Sequence, residues 1–234
     1  MKEQHNNSQR DYFHSADQPT IMPAESPYVM RHLEMLISNG DLTEGAKILE
    51  VGAGVGRFSR LLQSRGFELT ASDISPDLIA AFEQQSPDIP AFVSDVNRLP
   101  TQHTGQYDAV IGFFMLHHLQ DLTASFQSMA AVLKPGGKII FCEPNAWFFP
   151  FYLQILLTPR MRWQVDKRVM NMRCGVLTPS LIECGFTDIQ YSGYGFLPPQ
   201  IYNYSWGMHI DHGLERLPIP AYAKAFQIIS ANCA

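Results

Sequence analysis

Paired cysteine motifs, an excess of basic charge and long apolar runs are all missing from this sequence of 234 residues. Its four cysteines form no C-x-x-C pair, which argues against a disulfide framework and indicates reduced thiols. The net charge of -5 disfavours nucleic acid as a partner, because phosphate backbones attract basic surfaces. No apolar run reaches the ~20 residues that span a bilayer, and residues 1–10 lack the apolar core of a secretory signal. We therefore expect a soluble, cytoplasmic protein.

A glycine-rich turn follows the first predicted strand. It reads Ile48-Leu49-Glu50-Val51-Gly52-Ala53-Gly54-Val55-Gly56-Arg57, and apolar residues then recur at helical spacing. Glycine lets the backbone turn sharply and approach a ligand closely. The pattern predicts a strand, a tight loop and a helix that starts near Val55, with free amides facing an anionic group. Arg57 stands where the dinucleotide fingerprint has its third glycine, which argues against a nicotinamide or flavin cofactor.

Strand-like and helix-like segments alternate from the glycine turn to residue 145. This alternation predicts an α/β fold with a doubly wound, mostly parallel sheet. After residue 145 we expect an apolar, arginine-containing cap insertion, then a helix and a strand near Phe186, with residues 225–230 as its antiparallel partner. The predicted divisions are an N-terminal arm and helix (1–40), a cofactor-binding core (41–145), a partly helical cap (146–177) and a C-terminal part of the core (178–234). Residues 193–220 are expected to form an irregular excursion, and Tyr12, Phe13 and Tyr28 to pack the arm.

Two acids fall where ligands of open α/β sheets bind, at the carboxyl ends of the strands. Asp73 ends the second strand about twenty residues past the loop, where a carboxylate can accept hydrogen bonds from a ribose diol. Asp95 follows the third strand and can accept from a base amine. With the loop, they predict an adenosine that carries a polar, charged tail. The simpler interpretations are a helix cap for Asp73, a loop-solvating acid for Asp95 and a carboxylate that serves the loop for Glu50.

Six segments in this order resemble the class I S-adenosylmethionine-dependent methyltransferases, in the small-molecule branch related to the ubiquinone-biosynthesis enzymes. The segments are Ile48–Gly56, Ser72-Asp73-Ile74-Ser75, Ser94-Asp95-Val96, Tyr107-Asp108-Ala109-Val110, Leu116-His117-His118-Leu119 and Leu133-Lys134-Pro135-Gly136-Gly137. The resemblance covers residues 47–143 and implies a seven-stranded sheet with one strand inserted antiparallel beside the sixth. It implies S-adenosylmethionine as cofactor. We expect it to be bound by Glu50, Gly52, Ala53, Gly54, Gly56, Arg57, Asp73, Ile74, Asp95, Val96 and Phe113.

His117 and His118 are the candidate catalytic residues, because imidazole titrates near neutral pH and the loop after strand four faces the methyl donor. In the resembling family a histidine at the place of His118 recurs across substrates, which implies a scaffold role there and leaves His117 as the better base. Catalysis without a base is the alternative, since aligning two reactants already supplies much of the rate.

The acceptor is expected to contact Glu143, Asn145, Trp147 and Phe148, which follow the fifth strand. The apolar segment 146–163, with Arg160 and Arg162 near its end, has three interpretations: a packed cap helix, the wall of a pocket for a hydrophobic acceptor, or a membrane-surface segment. Peripheral membrane contact would be excluded if the protein fails to float with anionic liposomes.

The predicted function is methyl transfer from S-adenosylmethionine to an O, N or C atom of an apolar small molecule. Strand four ends in Gly112-Phe113-Phe114-Met115 and lacks the Asn/Asp-Pro-Pro-Tyr signature of amine and glutamine methyltransferases. The alternatives are a domain that binds the cofactor without turnover and a nicotinamide-dependent oxidoreductase. No metal is expected, because His209 and His212 stand outside any predicted helix and lack a third ligand.

Overall fold

A computed structural model describes residues 25–157 and 167–234 as a three-layer α/β fold. The predicted contributions of Tyr12, Phe13, Arg160 and Arg162 lie outside the described residues. The strands are β1 (Lys47–Val51), β2 (Glu68–Asp73), β3 (Ala91–Val93), β4 (Tyr107–Phe113), β5 (Leu133–Pro144), β6 (Phe186–Tyr194) and β7 (Phe226–Cys233). The α-helices are α1 (Pro27–Gly40), α2 (Ser59–Gln63), α3 (Pro76–Gln85), α4 (Leu122–Val132), α5 (Phe149–Leu157), α6 (Cys174–Glu183), α7 (Pro199–Tyr202) and α8 (Ser205–Glu215).

The seven strands form one sheet in the order β3-β2-β1-β4-β5-β7-β6. The first five run parallel, and β7 lies antiparallel between β5 and β6. The predicted seven-stranded, mostly parallel sheet with one inserted antiparallel strand is therefore confirmed. Because β1 and β4 are central neighbours from which the strand order runs outward in both directions, their carboxyl ends mark the point where ligands of such sheets bind.

Two apolar clusters cover the two faces of the sheet. One contains Leu33 and Leu36 of α1 and Phe82 of α3. The other contains Phe126 of α4 and Leu181 of α6. The strands between them are apolar on both faces, as expected for a parallel sheet that helices cover on both sides.

Local sequence signals explain several helix starts. Ser26 and Ser75 accept hydrogen bonds from the backbone amides of Val29 and Leu78, and each is followed by a proline at the first helical position. Asp121 caps α4 through the amide of Ala124. Helices α3 and α4 connect consecutive strands, so their caps also fix where the carboxyl ends of those strands meet.

Two helices differ from the sequence prediction. α2 begins at Ser59, not near Val55, because Gly54 and Gly56 are left-handed and break the helix before it starts. At five residues it is too short for the predicted helix-dipole contribution to carry an anion site. α8 occupies residues 205–215, where an irregular excursion was predicted, so His209 and His212 do lie on a helix.

The predicted cap contains the short helix α5, which follows β5 directly. Trp147, Phe149 and Leu153 there are 60%, 72% and 47% exposed. The ring of Trp147 is 5.9 Å from the guanidinium of Arg173. In the described ranges, no helix combines the length and the apolar character that crossing a membrane requires.

Candidate active site

The glycine loop after β1 depends on three left-handed residues. Gly52, Gly54 and Gly56 have φ angles of 68°, 58° and 85°, which side chains disfavour. A Cβ on Gly56 would lie 2.8 Å from the ring of Phe82, so this glycine also permits close packing. A Cβ on Gly54 would meet nothing within 4 Å, which leaves open space beside the exposed Gly52. The loop thus presents bare backbone at the centre of the sheet edge.

Asp73, at the end of β2, is joined to this loop. Its Oδ2 accepts from the amide of Gly54 at 2.9 Å and its Oδ1 from the amide of Ser75 at 2.9 Å. Burial raises the pKa of Asp73, whereas backbone donors, that of Ser75 foremost, lower it. Since a carboxylate has about four acceptor positions and the amides of Gly54, Ile74 and Ser75 donate to it, one position remains for a ligand. Asp73 therefore does more than cap a helix, because its hydrogen bond from Gly54 also fixes the loop.

Glu50 lies beneath the loop and is 2% exposed. Its Oε2 accepts from the hydroxyl of Ser59 at 2.5 Å. Burial raises the pKa of Glu50 from 4.5 to about 7, and the nearby charge of Asp73 adds to this, while the Ser59 hydrogen bond opposes it. Glu50 is therefore an acid poised to change charge close to neutral pH.

We expect this acid to make stability depend on pH. The folded Glu50 keeps its proton to a higher pH than the unfolded one, so its contribution is present below pH 4.5 and is lost as the pH rises through about 7. Urea unfolding should show the wild type losing about 3 kcal/mol relative to Glu50→Gln between these limits. The glutamine still accepts from Ser59, which makes it the matched control. A difference that stays flat with pH would contradict the assignment.

The third strand ends at a tight turn that uses Asp95. Its Oδ1 accepts from the amide of Asn97 at 3.0 Å and from the side chain of Asn97 at 2.7 Å. Val96 is 8% exposed and belongs to the second apolar cluster. The predicted adenine contacts would therefore come from the half-buried Asp95 and the surface of this turn.

Glu143 and His117 form a buried pair after β5 and β4. Glu143 is fully buried, and its Oε1 accepts from the amides of Met115 and Leu116 at 2.8 and 2.7 Å. Its Oε2 lies 2.6 Å from Nδ1 of His117, which is 6% exposed. Glu143 therefore orients the imidazole of His117, and its predicted contact with the acceptor stays a prediction.

Asn145 connects two segments of the chain, and its predicted contact with the acceptor stays a prediction. Its side-chain amide donates to the carbonyls of Ala221 and Tyr222 at 3.1 and 3.2 Å, and its Oδ1 accepts from the amide of Trp147 at 3.1 Å. It therefore joins the start of the cap to the segment before β7. Trp147 is exposed and Phe148 half-buried, so these two rings keep surface for a ligand.

The remaining predicted cofactor residues surround the same edge. Phe113 stacks on Phe58, with ring centroids 3.7 Å apart, and both are largely buried. The amide of Ala53 donates to the carbonyl of Ser72 at 3.0 Å, which ties the loop to β2. Ile74 and Arg57 are half-buried, the former next to Asp73 and the latter at the end of the loop.

A polar cluster that the sequence does not predict lies between α1, β5 and β6. Nδ1 of His32 is 2.6 Å from the hydroxyl of Tyr194, which is 2.9 Å from Sγ of Cys142. The ring of His32 also packs edge-on against Phe114, which has a left-handed φ of 56° directly after β4. A histidine on the apolar face of α1, between Val29 and Leu36, was the signal that could have found it.

Chemically, the site offers backbone for a charged tail, a carboxylate for a diol, a buried acid and an oriented imidazole. All four groups lie at the carboxyl ends of the parallel strands, next to aromatic rings. No group of three or more His, Cys, Asp and Glu side chains in the described part of the chain is arranged to hold a metal ion. The arrangement fits a nucleoside with a polar tail and an organic second reactant.

Comparison with known proteins gives a family match over most of the chain. The family described as a methyltransferase domain matches residues 25–183. The ubiquinone biosynthesis O-methyltransferase of Xanthomonas oryzae pv. oryzae is 31% identical over 140 residues, which are 58% of this chain and 55% of that protein. The demethylmenaquinone methyltransferase of Beutenbergia cavernae is 31% identical over 122 residues, 49% of this chain and 50% of the relative. The chain thus spans about half the length of these curated relatives.

A solved structure supports the fold over nearly the whole chain. A possible histamine N-methyltransferase of Thermotoga maritima, described as S-adenosylmethionine-dependent, superposes with a TM-score of 0.63 at 14% identity. The match covers 88% of this chain and 89% of that protein. At this identity the likeness shows a shared fold.

Proposed function

This chain belongs to the methyltransferase domain family, and we propose that it binds S-adenosylmethionine and transfers its methyl group to an apolar small molecule. The observation that carries the proposal is the connection between Asp73 and the glycine loop. One carboxylate fixes the loop through Gly54 and keeps an acceptor position for a ribose hydroxyl. The curated relatives named for ubiquinone and menaquinone methylation support an acceptor related to quinones.

The residues present fit this cofactor. Open space beside Gly54 and three left-handed glycines leave room for the amino-acid tail, and Asp73 and Asp95 suit the ribose and the base amine. Glu50 would hold the ammonium of the tail, directly or through water, because a cation favours the charged form of a buried acid. When bound, the cofactor supplies an electrophilic methyl group on a sulfonium.

The protein positions the two reactants, shields them from water and removes a proton from the acceptor. Glu143 accepts a hydrogen bond from Nδ1 of His117. This leaves the lone pair of the ring on Nε2, which can take a proton from an acceptor hydroxyl or amine. Phe113, Phe58 and Phe114 line the same edge and exclude water there, which strengthens electrostatic interactions inside the site. His118 supports the turn, since its carbonyl accepts from Arg168 at 3.4 Å. The exposed rings of Trp147 and Phe149 suit the entry of an apolar acceptor.

Calorimetry with S-adenosylhomocysteine and NADH tests the cofactor. We expect S-adenosylhomocysteine to bind with a dissociation constant in the micromolar range and NADH not to bind, because Arg57 replaces the third glycine of the dinucleotide loop. Binding of NADH alone would overturn the proposal. Transfer of labelled methyl to an extracted metabolite then separates an enzyme from a domain that binds the cofactor without turnover, the second candidate function.

A further inference from the structure

A small cleft lies between α1, the end of β6 and α8, outside the residues assigned above. It is narrow, and the space among its side chains has room for about one water-sized group. The side chains that matter are those of Tyr28, Arg31, His32, Tyr202, Asp211 and Phe226. Four of these are aromatic, so the cleft has apolar walls with polar groups set into them.

Three buried polar atoms of these residues have no hydrogen-bond partner among the described residues: Arg31 Nε, His32 Nε2 and Asp211 Oδ2. His32 and Asp211 are 2% and 0% exposed. Leaving a buried polar atom unpaired costs about 1–3 kcal/mol, so three beside one cleft indicate a missing partner.

Other polar atoms of these side chains already have partners. Asp211 Oδ1 accepts from the amides of Phe196 and Leu197 at 2.8 and 2.9 Å. Nη2 of Arg31 pairs with Glu215 at 2.6 Å. One acceptor on α8 and one donor on α1 are therefore left over beside the same cleft.

His32 completes the cleft as a neutral ring. Burial lowers the pKa of His32 to about 3, with the charges of Arg31 and Arg57 as lesser causes. Its Nδ1 is engaged by Tyr194, so Nε2 is left to donate or accept according to the tautomer. The influence of Arg57 and the edge-on contact with Phe114 also place the cleft near the glycine loop and the end of β4.

Building on the proposed function, we propose that this cleft binds a hydroxyl group of the acceptor, which donates to Asp211 and accepts from Arg31 and His32. A hydroxyl has one donor and two acceptor positions, which matches one carboxylate oxygen and up to two N–H groups. An ammonium would leave the Nε–H of Arg31 unpaired. A carboxylate would face the charge of Asp211.

The test is a ¹⁹F NMR titration of the full chain, with and without saturating S-adenosylhomocysteine. The hydroxyl probes are 4-fluorobenzyl alcohol and 4-fluorophenol, which distinguish an alcohol from a phenol as the source. Their methyl ethers and 4-fluorobenzylamine are the controls. We expect at least one hydroxyl probe to bind at least 10-fold more tightly than its ether and than the amine. Asp211→Asn, which keeps an acceptor for Phe196 and Leu197, should abolish that preference, whereas Glu34→Gln on the exposed face of α1 should preserve it.

Equal binding of alcohol and ether, tighter binding of the amine, or no binding to folded wild-type protein would each overturn the hydroxyl site. Comparing the hydroxyl probes with the ether and amine probes on the wild-type protein tests the site even if Asp211→Asn fails to fold. Failure of S-adenosylhomocysteine to bind would instead contradict the proposed function. Calorimetry measures that binding separately from the binding of the probes.

Discussion

Replacing Asp73 with alanine is expected to lower affinity for S-adenosylhomocysteine about 100-fold or more. The change removes a charged acceptor of ribose hydroxyls, for which each hydrogen bond is worth about 1.5–3 kcal/mol, and a factor of ten corresponds to about 1.4 kcal/mol. It also releases the amide of Gly54, so the loop loses its preformed shape. Calorimetry measures the affinity, and circular dichroism checks that the fold is kept.

Asp77→Ala is the matched control, because Asp77 lies four residues away on the exposed first turn of α3. It should bind the ligand like the wild type. Asp73→Asn should fall between the two, since it keeps one oxygen to accept from backbone. Wild-type affinity in Asp73→Ala would mean that the adenosine is held by other groups.

Removing the carboxylate of Glu143 is expected to cause the largest loss of stability. Glu143→Ala leaves the amides of Met115 and Leu116 and Nδ1 of His117 without their acceptor in a fully buried place. Breaking such a buried pair costs about 3–5 kcal/mol. Urea unfolding measures this loss. A loss below about 1 kcal/mol would show that the turn after β4 does not depend on this acid.

Glu143→Gln separates the contribution of Glu143 to stability from its contribution to methyl transfer. Its oxygen can still accept from the two amides, but its NH₂ group donates to Nδ1 of His117 and moves the imidazole proton to Nε2. We expect milder destabilisation, a changed tautomer in ¹⁵N NMR spectra, and loss of methyl transfer with cofactor binding intact. Unaltered transfer with the changed tautomer would exclude His117 as the base.

The parallel half of the sheet and its ligand edge could be predicted because their signals are local. Each of the strands β1 to β5 follows from its own short run, and Asp73 lies about twenty residues past the glycine loop. The start of α2 could not be predicted, since it depends on the left-handed conformations that Gly54 and Gly56 adopt. A glycine in the sequence permits such a conformation but does not show whether the conformation is adopted.

Helix α8 was missed because residues 193–220 are rich in Gly, Pro and Tyr, which favours an excursion over a helix. A Cβ on Gly207 would lie 2.0 Å from the carbonyl of Ile201, so this glycine permits close contact with α7. The bonds around the cleft and at Glu143 are likewise non-local. His32 and Tyr194 are 162 residues apart, and Glu143 and His117 are 26 apart. No short window of sequence contains both partners.

The position of β7 has a consequence for how the molecule is made. Strand β6 pairs only with β7 in the described sheet, so it emerges from the ribosome before its only neighbour exists. The first five strands can assemble during synthesis, because domains begin to fold from the N-terminus. Phe226, which opens β7, packs against Tyr28, His32 and Tyr194, and it closes one wall of the cleft. The hydroxyl site is therefore the last part of the protein to form, after the nucleoside site is already in place.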